Sequence, residues 1–204
     1  MVENSEKKEP LNKNNKEPKL RFPEFYDCYT SQTISTLFKL AGGGTPSTKE
    51  EKYWLGTVPW ISSSDLSEFD INKITETRYI SNEAIQNSTT KIIPAFSILV
   101  VNRVGLGKVA VNEHPLCTSQ DFTNLYSNEV NPYYFAYLIQ KQILKKASQG
   151  STIKGISSKE LAKMILTFPI KNEQDKIYSF LHILERKISI ISSKLSILKS
   201  IKKD

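Results

Sequence analysis

Apolar positions along this chain follow two different rhythms. Short runs rich in β-branched residues, TVPWIS at 57–62, FSILVV at 96–101 and KVAV at 108–111, are bounded by Gly, Pro, Ser or Asn and predict strands. A further strand is expected over 164–168, closed by Pro169. Helical spacing appears at 82–87 and more clearly over 132–147, where Phe135, Leu138, Ile139, Gln142 and Ile143 recur at intervals of three and four. Asn131 before Pro132 supplies an N-cap and a proline at the first helical position, and Ser157 or Ser158 caps a short helix through Lys163. Strands and helices without regular β–α–β alternation predict an α+β domain with a mixed sheet.

Beyond Pro169 the second rhythm takes over. Ile177, Leu181, Leu184, Ile188, Ile191, Leu195 and Leu198 recur at alternating spacings of four and three with no Gly or Pro between them. The pattern predicts a helix over about 173–203, ~45 Å long at 1.5 Å per residue. Its apolar stripe reads as narrow and its period as 3.5 residues, which favours a coiled-coil dimerisation seam over an amphipathic helix docked on its own domain.

Length changes this picture only by limiting it: 204 residues suffice for one globular domain and an appended element, and are short for two complete domains. Residues 1–18 are rich in Lys, Glu, Asn and Pro and predict a flexible tail, leaving a domain at 19–170 and the helix at 171–204. A net charge of +7 favours an anionic partner, nucleic acid or a membrane surface. The longest apolar run falls far below the ~20 residues needed to span a bilayer, and the N-terminus has no apolar signal core, so a cytoplasmic protein is expected.

Candidate chemistry is sparse. Cys28 and Cys117 are far apart and belong to no Cys/His cluster, which argues against a disulfide framework or structural zinc and fits a reducing compartment. His114 and His182 stand apart from any nucleophile or ligand set. GGGTPS (42–47) and GLGK (105–108) look like phosphate-cradling loops, yet neither completes a nucleotide motif, and Ala110 breaks the third glycine of GxGxxG. NPYY (131–134) approaches the base-gripping element of amino-methyltransferases, but Tyr133 replaces its second proline and a helix start accounts for Asn131 and Pro132. No cofactor and no catalytic set is therefore expected.

Six segments carry a resemblance to a known family: KLRFPEF (19–25), GGGTPSTKEEKYWLGTVPWISSSDL (42–66), SILVVNRVGLGKVAV (97–111), QDFTNLYS (120–127), QGSTIKGIS (149–157) and FPIKNEQDKIYSFLHILERKI (168–188). In this order they resemble the specificity subunits of type I restriction-modification systems. A full-length member carries two target-recognition domains joined by two antiparallel helices, so the resemblance implies a half-length form with a single recognition domain. It implies a non-catalytic reader of one half of an interrupted site in double-stranded DNA. The implied partners are methyltransferase subunits, a restriction subunit able to join them, and a second half-subunit, identical or different, paired through Ile177 to Leu198. No membrane contact is implied. The alternative is a truncated or silent cassette that acts only as an assembly module.

Within that resemblance, Thr45, Ser47 and Lys49 in one loop and Arg103 and Lys108 in another are candidates to face phosphates or base edges, against ordinary turns and solvated charges. Gln149, Ser151, Thr152 and Lys154 offer donors on a Gly-flanked loop, against a simple link between helices. Ser62 and Ser63 follow a strand-like run and can read bases or cap a turn; Asp65 leans towards the cap.

Overall fold

The computed structural model describes residues 18, 20–68, 70–103, 105–148 and 155–201, so nearly all of the expected tail lies outside the described residues. Strand β1 (Thr30–Thr33) runs into a one-turn helix α1 (Ile34–Leu37) and β2 (Lys39–Gly42). A 3-10 turn (Glu51–Trp54), β3 (Val58–Ile61), a second 3-10 turn (Ser63–Asp65), β4 (Tyr79–Ile80) and α2 (Asn82–Gln86) follow. Then come β5 (Ile98–Val101), β6 (Val109–Val111), β7 (Cys117–Thr118), β8 (Phe122–Tyr126), α3 (Pro132–Ser148), α4 (Ser158–Ala162), β9 (Ile165–Phe168) and α5 (Lys171–Ile201). Helix and sheet are mixed and a long helix ends the chain, as the pattern predicts. The sheet, however, is divided into three: antiparallel β2–β8–β5–β6, the mixed β4–β3–β7 with β3 and β7 parallel, and the two-stranded β1–β9.

The run at 96–101 is continuous because β5 is covered on both faces. Ile98 and Val100 face a cluster with Val109, Val111, Phe135, Ile139 and Ile143, whereas Leu99 and Val101 face Ile61, Leu66, Ile93, Leu116 and Phe122. Successive side chains point to opposite faces, so one strand joins two cores. It starts at Ile98 rather than Phe96 because Phe96 adopts a left-handed φ of 60°, which turns the chain before pairing begins. In β8 a fully buried polar residue, Asn124, donates to Thr118 Oγ1 at 2.9 Å and to the Ala41 carbonyl at 3.2 Å, tying β8 to β7 and β2.

Helix α3 buries Phe135, Ile139 and Ile143, one face at four-residue spacing, and the Tyr134 N–H donates to Asn131 Oδ1 at 3.0 Å as a cap. Ser157 caps α4 in a reciprocal box with Glu160: the Glu160 N–H donates to Ser157 Oγ at 3.2 Å and the Ser157 N–H to Glu160 Oε2 at 2.9 Å. Helix α5 begins at Lys171, two residues earlier than the apolar pattern implies. No helix among the described residues is long and apolar enough to cross a membrane.

The root of α5 is tied to the segment before β1. Glu173 is fully buried and accepts a bidentate pair from Arg21, Nε to Oε1 at 2.9 Å and Nη2 to Oε2 at 2.7 Å, with the Tyr29 hydroxyl donating to Oε1 at 3.1 Å. Arg21 also donates to the Asp27 carbonyl at 2.6 Å and lies over the Tyr29 ring. A buried carboxylate is tolerable only with such partners, and removing one costs about 3–5 kcal/mol. Arg21→Ala is therefore expected to lower unfolding free energy by about 3 kcal/mol in a urea titration, and the paired apolar replacement R21M/E173L to recover most of it. An Arg21→Ala loss below about 1 kcal/mol would show that the pair does not hold the root.

Burial pushes the Cys117 thiol up to about 11, while Cys28 is exposed. Because the thiolate is the reactive form, a thiol titration at neutral pH should count Cys28 alone in the native chain and both cysteines after unfolding.

Candidate nucleic-acid interface

The turn between β7 and β8 gathers residues that are distant in sequence. The Gly44 N–H donates to the Thr118 carbonyl at 2.8 Å, and the Ser119 N–H to Ile61 at 2.8 Å. The Asn102 N–H donates to Asp121 at 2.7 Å, and the Ile156 N–H to Asn102 at 2.7 Å. Thr45 donates to the side chain of Gln120, and Lys108 Nζ to the Ser63 carbonyl at 3.2 Å. Each bond lies within a residue or two of a candidate: Thr45 beside Gln120, Ser62 after Ile61, Arg103 after Asn102, Lys108 against Ser63. One connected rim results, its supports made of backbone hydrogen bonds and its outward positions left to side chains. Ser47, Lys49 and Arg103 are exposed, and Thr45, Ser62, Ser63 and Lys108 are half-buried.

Some candidates are engaged within the fold. Ser62 and Asp65 form a capping box, with the Ser62 N–H donating to Asp65 Oδ2 at 2.7 Å. Arg78 bridges the two, donating to Ser62 Oγ at 2.6 Å and to Asp65, with its guanidinium 4.7 Å from the Trp60 ring centroid. The Ser62 hydroxyl is thus a support. The Ser47 carbonyl accepts from Trp54 Nε1 at 3.1 Å and anchors the loop to the first 3-10 turn. The glycines of 42–44 allow close approach, since a Cβ on Gly43 would meet the Ser119 carbonyl oxygen at 2.1 Å.

Gln149, Ser151, Thr152 and Lys154 lie outside the described residues. The ends of their segment are fixed nonetheless: it leaves α3 after Lys145 and Lys146 and returns at Gly155, packed against Asn102 and Arg103. From there Thr123 Oγ1 and Ser158 Oγ, 2.6 Å apart, fasten α4 to β8, and the next residue, Lys159, is exposed. Gln120 falls within QDFTNLYS, whereas nothing in the sequence around Arg78 or Lys159 separates them from ordinary surface charges.

Along α5, Ile177 packs on the domain's own core and Leu181 is half-buried, so the outward seam runs from Leu184 through Ile188, Ile191, Leu195 and Leu198. Ile188 and Ile191 are 63% and 65% exposed. A second exposed row, Ile183, Ile190 and Ile197, recurs every seven residues about 100° around the helix from Leu184, Ile191 and Leu198, with Lys187 and Lys194 between the two rows. An open groove of about 910 Å³ flanks the root of α5, lined by Leu20, Tyr134, Ile165, Phe180 and Leu181 among others and by none of the candidate DNA-facing residues.

The family model described as "Type I restriction modification DNA specificity domain" matches residues 27–200. The chain is 32% identical over 167 residues to the specificity subunit of the type I restriction enzyme MjaIX from Methanocaldococcus jannaschii, covering 79% of this chain and 38% of that protein. It is 33% identical over 160 residues to the EcoR124I/EcoR124II specificity subunit of Escherichia coli, covering 74% and 39%. Among solved structures, the HsdS subunit from Thermoanaerobacter tengcongensis shares its fold at a TM-score of 0.62 and 13% identity, over 87% of this chain and 42% of that one. The S subunit from M. genitalium does so at 0.57 and 17%, over 85% and 43%. The chain thus spans about two fifths of the length of the curated relatives it matches.

A Cβ at Gly155 would lie 2.6 Å from the Asn102 carbonyl oxygen, the acceptor of the Ile156 N–H. Gly155→Ala is expected to force that bridge apart and accelerate hydrogen exchange of the Ile156 amide at least about tenfold, with core amides of β5 unchanged. Unchanged Ile156 protection would mean that the rim does not depend on this contact.

Proposed function

The chain belongs to the family of type I restriction modification DNA specificity domains, and on that footing we propose that it reads one half of an interrupted site in double-stranded DNA. It performs no chemistry itself and directs the methyltransferase subunits, and a restriction subunit where one joins, to that site. Residues 19–170 form the reader and 171–204 the spacer and dimerisation helix, working in the cytoplasm. The observation that carries this reading is the rim. Thr45, Ser47, Ser63, Arg103 and Lys108 come from separate loops yet stand at or next to one set of supporting hydrogen bonds, with Lys49 exposed two residues beyond Ser47. Side chains held on a rigid frame suit base edges and phosphates, where position gives specificity and Lys or Arg gives affinity. Ser62 supports the rim, and Gln149, Ser151, Thr152 and Lys154, outside the described residues, stay candidate DNA contacts on their residue types alone.

The seam from Leu184 to Leu198 pairs with a second half-subunit, and the row Ile183, Ile190 and Ile197 takes a helix of the methyltransferase subunit. An assembly-only cassette would leave the rim without a role. The deciding experiment is the methylated-adenine map of cells carrying this chain with its methyltransferase subunit, against cells lacking the chain. A new interrupted motif is the expected result. With expression and subunit association established, the absence of any new motif would overturn the reading.

Binding of the assembled complex to its site should weaken steeply with salt, log K falling linearly with log salt. Arg103→Ala should lower that slope by about 1 if Arg103 meets a phosphate, or relax one base position if it reads an edge; neither change would remove it from the interface. Ile190→Glu is expected to abolish co-purification of the methyltransferase subunit while the chain still self-associates, as read by light scattering.

A further inference from the structure

The turn between β7 and β8 is pinned on both sides of one residue. The Thr118 carbonyl accepts from the Gly44 N–H at 2.8 Å, the Ser119 N–H donates to the Ile61 carbonyl at 2.8 Å, and the Asp121 carbonyl accepts from the Asn102 N–H at 2.7 Å. Gln120 stands between these anchors with its side chain exposed. Its Oε1 accepts from the Thr45 hydroxyl, and among the described residues its Nε2 has no hydrogen-bond partner. We propose that Gln120 reads an adenine from the major groove, its amide donating to N7 and accepting from the N6 amine, with Thr45 as the positioning residue that holds the amide. The proposal deepens the reading of the chain as a half-site reader and rests on it.

The turn itself does not require a glutamine. Turn tips favour Gly, Asn, Asp and Ser, whose permissive backbones or short side chains serve the turn directly. The Gln120 amide instead bonds across to the loop that holds Thr45. Nor does the frame depend on that bond, since the backbone bond from Gly44 to Thr118 already ties the same two loops. What the Thr45 hydroxyl adds is direction. A long side chain on a fixed backbone still swings about its own bonds, and holding it in advance removes part of the ordering cost of binding.

The group so held matches one base. A carboxamide presents an acceptor and a donor side by side, which is the complement of adenine N6 and N7 on the major-groove edge. Oε1 has two lone pairs, so it can accept from Thr45 and from N6 together while Nε2 donates to N7. Guanine places two acceptors on the same edge, and one of them meets Oε1 without a proton between them. The cations of the rim are drawn to any phosphate, whereas a neutral amide is not. Its place at a position pinned on both sides therefore serves base recognition rather than attraction.

The test is the methylated-adenine map of the full chain with its methyltransferase subunit, scored base by base across the half-site. Gln120→Ala is expected to relax one position, an A·T pair in the motif of the unmodified chain, lowering discrimination there by about tenfold or more with every other position unchanged. Gln120→Glu keeps an acceptor for an exocyclic amine and loses the donor to N7, so it should move that position to C·G, with cytosine where adenine stood. Thr45→Val should relax the same position alone and Thr45→Ser retain it; an unchanged motif in Thr45→Val would remove Thr45 from the assignment. A motif kept whole in Gln120→Ala, or preference lost at several positions at once, would overturn the proposal. If Gln120→Ala directs no methylation, Gln120→Glu decides: a switch to C·G upholds the assignment and any other result overturns it. If the unmodified chain directs no new motif, the half-site reading has failed and Gln120 falls with it, whereas a motif shared by the unmodified chain and Gln120→Ala defeats the Gln120 assignment alone.

Discussion

A charge that water cannot reach must find its partners inside the protein, and Glu173 does so in Arg21 and Tyr29. That single requirement joins three parts of the chain: the segment before β1, the β1–β9 ribbon and the start of α5. The cost of leaving the carboxylate unpaired, several kcal/mol, is comparable to the whole margin of stability of a small domain. The long helix is therefore an extension of the domain rather than an appendage, and its direction is inherited from the fold.

The rim follows a similar logic with neutral groups. Its loops come from four separate places: those at Gly44, Ile61 and Asn102 each exchange a backbone hydrogen bond at or next to the turn at 119–121, and the fourth, at Ile156, bonds the Asn102 carbonyl in turn. Because the main chain supplies the support, outward side chains are free to differ without loss of the frame. Ser62 marks the boundary between the two roles: its hydroxyl is bound by Arg78 and Asp65, while Ser63 receives Lys108 through its carbonyl alone. Buried Asn124 and the Asn102–Thr123–Ser158 chain place polar order just beneath the rim, where apolar packing would tolerate more movement.

Helix α5 divides its circumference among several neighbours. Glu173, Gln174 and Ile177 pack into the domain, Tyr178 stacks on Tyr133, Glu185 accepts from Asn72, and the leucines and isoleucines beyond them are exposed. A sequence repeat of seven along a helix fixes which side chains share a line, and it leaves open how many lines are apolar. Ile183, Ile190 and Ile197 form a second line at the same period as the seam, and the alternation of four and three conceals it.

Periodicity by itself determined β3, β5, β6, β9, α2, α3, α4 and α5, because each has enough apolar positions at one period, or a cap of distinct chemistry, to stand out locally. It passed over β7 and β4, which are two residues long, the four-residue α1 and β2, β1, whose TSQT sequence is polar, and β8, whose Thr123 and Asn124 are buried polar residues that break the apolar run. The candidate loops were legible as Gly-bounded clusters of donors and cations, and the expected N-caps at Asn131 and Ser157 were readable from residue type and spacing. Tertiary structure alone decided that Thr45, Ser63, Arg103 and Lys108 share a rim, that Ser62 turns inward to Arg78, and that Arg21 meets Glu173 across 152 residues. The physical reason is range. Propensity, capping and amphipathic period act over a few residues and are written locally, whereas a hydrogen bond or buried ion pair between distant segments depends on where the packed core brings their backbones.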